Sequence, residues 1–255
     1  MNHSVIITLS LTLPCLATTL GAALIFFFKK ESRLLSLLTI GLASGIMLSA
    51  SFWSLLVPSL ECSKIYWKNL AFIPVVAGFL LGCLFMVLLD LASAKIISKY
   101  NKPTNKSRAF KLFSAITIHN IPEGLSVGFA IGTAIMSNSV ILGAFMFAIG
   151  IAIQNFPEGL ATALPICSCI SNKSKSFWLA FLSGIVEPLF AIPGFFLSTS
   201  ISTLLPWLLS FSAGAMIYVI VEELLPEINS KEKFSCGIWA FIVGFIVMMA
   251  LDICL

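Results

Sequence analysis

The sequence predicts an all-α membrane protein with eight transmembrane helices. Hydrophobic residues make up 59% of the 255 residues and charged residues only 10%, with a mean hydropathy of +1.05, which is outside the range of soluble domains. A helix needs about 20 apolar residues to cross the hydrocarbon layer. The eight segments that satisfy this requirement are 5–28, 34–57, 70–97, 109–134, 139–166, 176–199, 203–225 and 234–254. We therefore expect one transmembrane domain over residues 1–255.

The first segment and the loop charges predict the orientation. The first segment is too long for a signal-peptide core and has no basic leader, so we expect it to remain as a helix. With the N-terminus outside, the only external basic residues are Lys64 and Lys68. The cytoplasmic loops then hold Lys29, Lys30, Arg33, Lys95, Lys99, Lys102, Lys106, Arg108, Lys111, Lys173, Lys175, Lys231 and Lys233. The positive-inside rule thus places both termini outside a plasma (bacterial inner) membrane. Since topology accounts for the net charge of +4, nucleic-acid binding is not expected.

The second and third segments have counterparts in the seventh and eighth. Gly82, Met86, Leu89 and Asp90 align with Gly244, Met248, Leu251 and Asp252. Residues 44–47 align more loosely with 213–216, and these segments end near Pro58 and Pro226. Because five helices separate each pair, the copies cross the membrane in opposite senses. The sequence therefore predicts an inverted 3+2+3 repeat around the fourth and fifth helices, which is typical of secondary transporters.

The fourth and fifth segments share one motif, HNIPEG at 119–124 and QNFPEG at 154–159. Helical spacing of three and four residues places the side chains of His119, Asn120 and Glu123 on one face. Gln154, Asn155 and Glu158 repeat this face on the next helix. A proline inside each motif predicts a kink that frees the carbonyl four residues earlier.

The two motif glutamates predict a cation site. A carboxylate at the centre of a membrane helix costs about 2.5–3.5 kcal/mol, and no lysine or arginine lies close to Glu123 or Glu158 in the sequence. A bound cation is therefore the simplest compensation. The imidazole, amide and carboxylate groups suit zinc, ferrous iron or manganese better than cuprous copper.

Five further acidic residues lie in or at the ends of the apolar segments. Glu187, in a Gly-Ile-Val-Glu-Pro run, is expected to be a third carboxylate of the site, the alternative being a buried glutamate bonded to serine or backbone. With three ionised carboxylates, two divalent ions are electrostatically feasible. Glu222 and Glu223 are candidates for an exit relay or for a plain interfacial helix end. Asp90 and Asp252 are expected to hydrogen-bond at their helix ends, with a gate role as the alternative.

The seven cysteines do not indicate a disulfide framework, because they are odd in number and scattered through apolar segments. Cys167 and Cys169 at the end of the fifth helix are expected to be small buried hydrophobic residues. A step for soft metals is the alternative.

These motifs resemble the ZIP (Zrt/Irt-like) family of divalent-metal transporters, nearest its prokaryotic zinc-transporter and GufA-like branch. The resemblance implies eight helices with external termini, a homodimer, and an elevator-like movement of helices 1, 4, 5 and 6 against 2, 3, 7 and 8. It further implies one site formed by His119, Glu123, Gln154 and Glu158, and a second formed by Asn120, Glu123, Asn155, Glu158 and Glu187. This sequence departs from the pattern at Gln154, where many relatives have histidine, and at Asn155, where some have aspartate.

The predicted function is secondary transport of divalent metal ions into the cytoplasm by alternating access. Zinc is the leading substrate, with iron, manganese, cobalt and cadmium also considered, and no prosthetic group is expected. The expected partners are the ions, membrane lipids and a second copy of the chain. An intramembrane metalloenzyme is one alternative, but a HExxH protease needs a second histidine. A serine or cysteine hydrolase, which would use Ser126 or a cysteine with His119, is disfavoured because Glu123 is the expected partner of His119. A proton or sodium transporter using the same carboxylates is the third possibility.

Overall fold

The chain is almost entirely helical. The computed structural model describes residues 3–28, 33–98, 105–136, 141–200, 202–228 and 236–254. Its α-helices are α1 His3–Ala23, α2 Arg33–Ala50, α3 Val57–Trp67, α4 Phe72–Ser98, α5 Asn105–Met136, α6 Ile141–Ile170, α7 Lys173–Ser200, α8 Leu205–Val219, α9 Leu225–Ile228 and α10 Cys236–Cys254. Six of the predicted membrane segments correspond to α1, α4, α5, α6, α7 and α10. The second corresponds to α2 and α3 together, and the seventh to α8 and α9.

Seven segments within the described ranges are long and apolar enough to cross a membrane. The exception is α5, which has ample length at 32 residues but a more polar sequence. This composition identifies an integral membrane protein. Of the predicted cytoplasmic basic residues, Lys29, Lys30, Lys99, Lys102, Lys231 and Lys233 lie outside the described residues.

The second helix is longer than predicted. A π-helical segment, Ser51–Leu56, joins α2 directly to α3, and a 3-10 turn follows at Lys68–Leu70. The predicted loop after residue 57 is therefore helical. Pro58 directly follows the π-helical segment, whose changed hydrogen-bonding register accommodates the missing N–H and lets the helix continue. The seventh segment has the same order, with π-helical Ile220–Leu224 between α8 and α9.

Two other helix boundaries bear on the predictions. The helix α5 begins at Asn105, four residues before the predicted start of the fourth membrane segment at residue 109. Pro122 lies within α5, and Pro157 and Pro165 lie within α6, and both helices continue on either side of these residues. The kinks themselves stay a prediction.

Glycines show that the helices pack as two groups. The first group contains α1, α5, α6 and α7, where α5 packs along α7 and α1 along α6. The second contains α2, α3, α4, α8, α9 and α10, where α2 packs along α10 and α4 along α8. At every glycine except Gly143 and Gly150, an added Cβ would crowd a neighbouring helix of the same group. A Cβ at Gly128, for example, would lie 1.8 Å from the Ala191 carbonyl oxygen. Small residues thus bring backbones into direct contact within each group.

The two groups meet through α2 against α6 and through α5 against α8. Here the contacts are apolar side chains. Ala161 and Phe147 of α6 pack into the cluster formed around Met47 of α2 and Met216 of α8. Ile153 of α6 packs beside Met248 in a smaller cluster.

Candidate metal site

All seven predicted ligand residues lie on three adjacent helices of the first group. His119, Asn120 and Glu123 come from α5, Gln154, Asn155 and Glu158 from α6, and Glu187 from α7. None of these residues is more than 3% exposed. Each motif occupies one helix face, and the close approach of α5 to α7 at Gly124 and of α6 to α1 at Gly159 brings those faces together. The result is a polar cluster within an apolar helix bundle.

His119, Glu123 and Glu158 form the centre of this cluster. The Nε2 atom of His119 lies 3.1 Å from Oε1 of Glu158, and Nε2 of Gln154 donates to Oε1 of Glu123 at 2.8 Å. One ligand atom from each of the three central residues lies within 4.8 Å of the others. His119 thus contacts a glutamate on the next helix, which the sequence did not suggest, and also lies close to Glu123 on its own helix, the partner that the sequence suggested.

Glu187 lies beside this centre with its own partners. Its Oε2 accepts a hydrogen bond from Nδ2 of Asn155 at 2.8 Å. Its Oε1 lies 3.3 Å from the Thr18 hydroxyl of α1, whose one hydrogen it shares with the Pro14 carbonyl at 3.2 Å. Asn120 instead uses Nδ2 to donate to the Ser183 carbonyl at 3.0 Å. Two amides and a hydroxyl therefore use their donors to orient this part of the cluster.

The donors of the cluster are engaged, while many of its acceptors are not. Within the described residues, five of its buried side-chain oxygens have no hydrogen-bond partner: Oδ1 of Asn120, Oε2 of Glu123, Oε1 of Gln154, Oδ1 of Asn155 and Oε2 of Glu158. Buried oxygens are almost always paired, since leaving them unpaired is costly. The shared requirement of all five is a positive partner, which is what a metal ion provides. The residues present therefore fit a cation with nitrogen and oxygen ligands.

The proposed exit and gate residues lie outside this cluster. Glu222 is exposed and Glu223 half-buried in the π-helical segment. Asp90 is half-buried near the end of α4. Asp252, at the end of α10, accepts a hydrogen bond from the Ser54 hydroxyl of the π-helical segment at 2.6 Å. This bond joins two helices, and the role predicted for Asp252 at its own helix end stays a prediction. All seven cysteines are free thiols, and Cys167 is buried with Cys169 half-buried.

Two cavities lie on opposite sides of the cluster, both between the helix groups. One, of about 10 Å³, borders His119 and Glu158. Its other lining residues are Ala43, Met47, Ile116, Ala161, Thr162, Val219 and Leu224. The other, of about 350 Å³, is more open. It is lined by Pro58, Cys62, Ala130, Thr133, Ala134, Gly143, Ala144, Phe147, Leu205 and Leu209.

Sequence reasoning did not find three residues that border or support the cluster. Thr18 could have been found from the repeat, because the spacing that aligns Gly45 with Gly214 also aligns Thr18 with Glu187. Met47 also belongs to a recognised repeat motif, but nothing in its sequence context places it beside His119. Thr162 is one helical turn beyond Glu158, a spacing that many neutral residues share.

A helical membrane protein with a buried, acceptor-rich site inside one of two packed helix groups has the features of the class of ion-transporting membrane proteins. Comparison with known proteins defines the family. The model of the ZIP zinc transporter family matches residues 103–252. The chain is 35% identical to the zinc transporter GufA of Myxococcus xanthus, with 92% of this chain and 94% of the relative covered. It is 32% identical to zinc transporter ZupT of Chlorobaculum parvum, with 97% of each covered.

A vertebrate relative matches equally well. The chain is 32% identical to human zinc transporter ZIP11, with 92% of this chain and 93% of the relative covered. The chain belongs to the ZIP zinc transporter family, which confirms the predicted resemblance. Because these relatives are transporters by name, the interpretation as an intramembrane metalloenzyme is set aside.

Proposed function

We propose that this protein carries divalent metal ions, zinc foremost, across the plasma membrane into the cytoplasm. The observation that carries the proposal is the set of five buried oxygens around His119 that have no hydrogen-bond partner in the described part of the chain. Family membership supports zinc, which the names of the relatives specify. An imidazole with carboxylate and amide oxygens also suits iron, manganese, cobalt and cadmium, so selectivity among these ions is expected to be moderate.

Two ions can share the cluster. The first would use His119, Glu123, Gln154 and Glu158, and the second Asn120, Asn155 and Glu187. The unpaired Oε2 atoms of Glu123 and Glu158 are the groups available to bridge them. Two divalent ions would more than neutralise three carboxylates, whereas one would leave a negative charge.

Transport would proceed by an elevator-type movement of the first helix group against the second. The whole cluster belongs to the first group, so the ions would travel with it. Direct backbone contacts within each group favour two rigid units, and the apolar contacts between the groups have few directional bonds to break.

The packing pairs support the inverted repeat behind this movement. The repeat relates predicted segments 1–3 to segments 6–8, and the fourth segment to the fifth. This exchange converts the packed pair α2–α10 into α8–α4, and the pair α1–α6 into α7–α5. These four pairs of helices have the most extensive contacts among the described elements. The match extends to residues. A Cβ at Gly45 would lie 2.0 Å from the Phe241 oxygen, and one at its counterpart Gly214 would lie 2.1 Å from the Phe79 oxygen.

The cavities support the direction of transport. The larger one lies toward the end of α5 and the start of α6, the side that the loop charges place outside together with both termini. The smaller lies toward the opposite helix ends. This arrangement suits a state that receives ions from outside. Glu222 and Glu223 would then attract the ion at the inner surface. A homodimer remains an expectation from the family resemblance.

Metal uptake by proteoliposomes tests the proposal. Wild-type protein should accumulate zinc, whereas Glu123→Ala and Glu158→Ala should show none above empty vesicles, because each removes a charged ligand. Glu61→Ala is the matched control, since Glu61 is exposed on α3. Zinc uptake by the two site variants at the wild-type rate would refute the proposed function. Sodium- or proton-driven fluxes without metal uptake would instead favour a transporter that uses the bare carboxylates.

A further inference from the structure

Thr162 has a buried hydroxyl without a described role. Its side chain is 0% exposed on α6, one turn beyond Glu158. Its Oγ1 has no hydrogen-bond partner among the residues that the structure describes. Leaving such a group unpaired is unfavourable.

Thr162 does not make the hydrogen bond that a threonine commonly makes within its own helix. A threonine in a helix commonly donates to the carbonyl four residues earlier. Thr12, Thr19 and Thr117 all do so, at 2.7–2.8 Å. Thr162 lacks this bond, so its hydroxyl remains available to a group that lies off the helix.

The small cavity provides the place for that group. Of its lining residues, only His119, Glu158 and Thr162 have polar side chains, apart from the Met47 thioether. Its volume of about 10 Å³ is close to the minimum for one water molecule, which needs two to four polar partners. The cavity is thus large and polar enough for a single small guest.

We propose that Thr162 is a further ion-contacting residue, which receives the metal ion on the inner side of the cluster and influences which ions pass. This inference rests on the proposed transport function. Ile116 precedes His119 on α5, and Thr162 follows Glu158 on the antiparallel α6, so the cavity extends from the cluster toward the predicted cytoplasmic side. There the ion exchanges a carboxylate for the neutral Thr162 oxygen, which lowers the barrier to its release.

Uptake kinetics give the first test. Thr162→Val removes the hydroxyl with little change in shape, and about three- to tenfold slower zinc uptake is expected, the value of one hydrogen bond or weak ligand. Equilibrium binding to the purified protein should change less than uptake. Thr162→Ser should restore the rate. Thr8→Val is the control, since Thr8 is exposed on α1 and bonded to Ser4.

Cadmium spectroscopy tests contact directly. Thr162→Cys places a thiol at the cavity, so cadmium should produce a thiolate-to-metal absorption band beyond that of the wild type. Thr8→Cys should add none. The absence of the extra band, with Thr162→Val transporting as wild type does, would overturn the inference and leave the proposed function intact. If wild-type protein moves no metal, the proposed function fails, and the cadmium band still decides whether Thr162 contacts an ion.

Discussion

Glu123→Gln should weaken ion binding and at the same time stabilise the ion-free protein. Glu123 is fully buried. One of its oxygens accepts from Gln154, and the other has no partner within the described residues. Glutamine can keep the bond to Gln154 if it turns its carbonyl toward that residue. Its amide NH2 group then replaces the unpaired oxygen. The ion therefore loses a charged ligand, and Glu158 no longer has a second carboxylate beside it.

The geometry gives the size of the effect on binding. Because ligand atoms of the three central residues lie within 4.8 Å of one another, an ion among them is at most about 4 Å from Glu123. A divalent ion and one carboxylate at that distance attract by about 8 kcal/mol at an effective dielectric constant of about 20, and the cost of several kcal/mol for burying the carboxylate reduces the net loss on its removal to about 4 kcal/mol. This corresponds to about a thousandfold increase in Kd.

Thermal unfolding in detergent measures both effects. Zinc at 100 times the wild-type Kd should stabilise the wild-type protein by about 2.7 kcal/mol, and this gain should vanish in the variant. Without metal, relief of the repulsion between Glu123 and Glu158 should raise the variant's Tm, by about 2–4 °C for each kcal/mol relieved. Glu61→Gln, on the exposed side of α3, should change neither value. A variant that retains the zinc-dependent gain would refute the assignment of Glu123 as a ligand.

Three further predictions follow from the packing and from Glu187. Glu187→Gln should reduce the bound zinc from about two ions to one in equilibrium dialysis, and an unchanged stoichiometry would contradict the second site. The double variant Gly150→Cys/Ser54→Cys should form a disulfide between the two helix groups. A Cβ added at position 150 would lie 3.6 Å from the position of the Ser54 hydroxyl, which is within reach of a disulfide. Oxidation of the two cysteines to a disulfide should stop zinc uptake, and reduction should restore it. The two single-cysteine variants are the controls. Continued uptake by the disulfide-linked protein would exclude an elevator movement. Gly128→Ala should destabilise the protein by about 1–3 kcal/mol because its Cβ would meet the Ala191 carbonyl. Gly143→Ala, whose added Cβ meets no described atom within 4 Å, should not lower Tm, and equal shifts would contradict the described packing.

The sequence was most informative where residue spacing determines which side chains share a face. Apolar length predicted the membrane segments, and the two Pro-Glu-Gly motifs predicted which side chains would meet. The choice of partners between helices was less accessible. His119 pairs with Glu158 and Gln154 with Glu123 because α5 and α6 are antiparallel and adjacent, and spacing within one helix does not reveal such contacts.

The predicted end of the second helix was wrong for a different physical reason. Pro58 suggested the end of the second helix, but the π-helical segment before it changes the hydrogen-bonding register and lets the helix continue. A register change has no simple sequence signature. Thr162 was not recognised for a similar reason, because its importance depends on a hydrogen bond that it does not make.

The polarity of α5 has a consequence for how the chain enters the bilayer. It is the one long helix within the described ranges that lacks a sufficiently apolar stretch, and a glutamate near its middle adds to the cost of insertion. An isolated α5 would therefore partition poorly from the translocon into lipid. Its lateral release should depend on synthesis of α6 and α7, which shield His119, Asn120 and Glu123 from the acyl chains. We therefore expect membrane insertion of this protein to be cooperative among helices that are synthesised one after another.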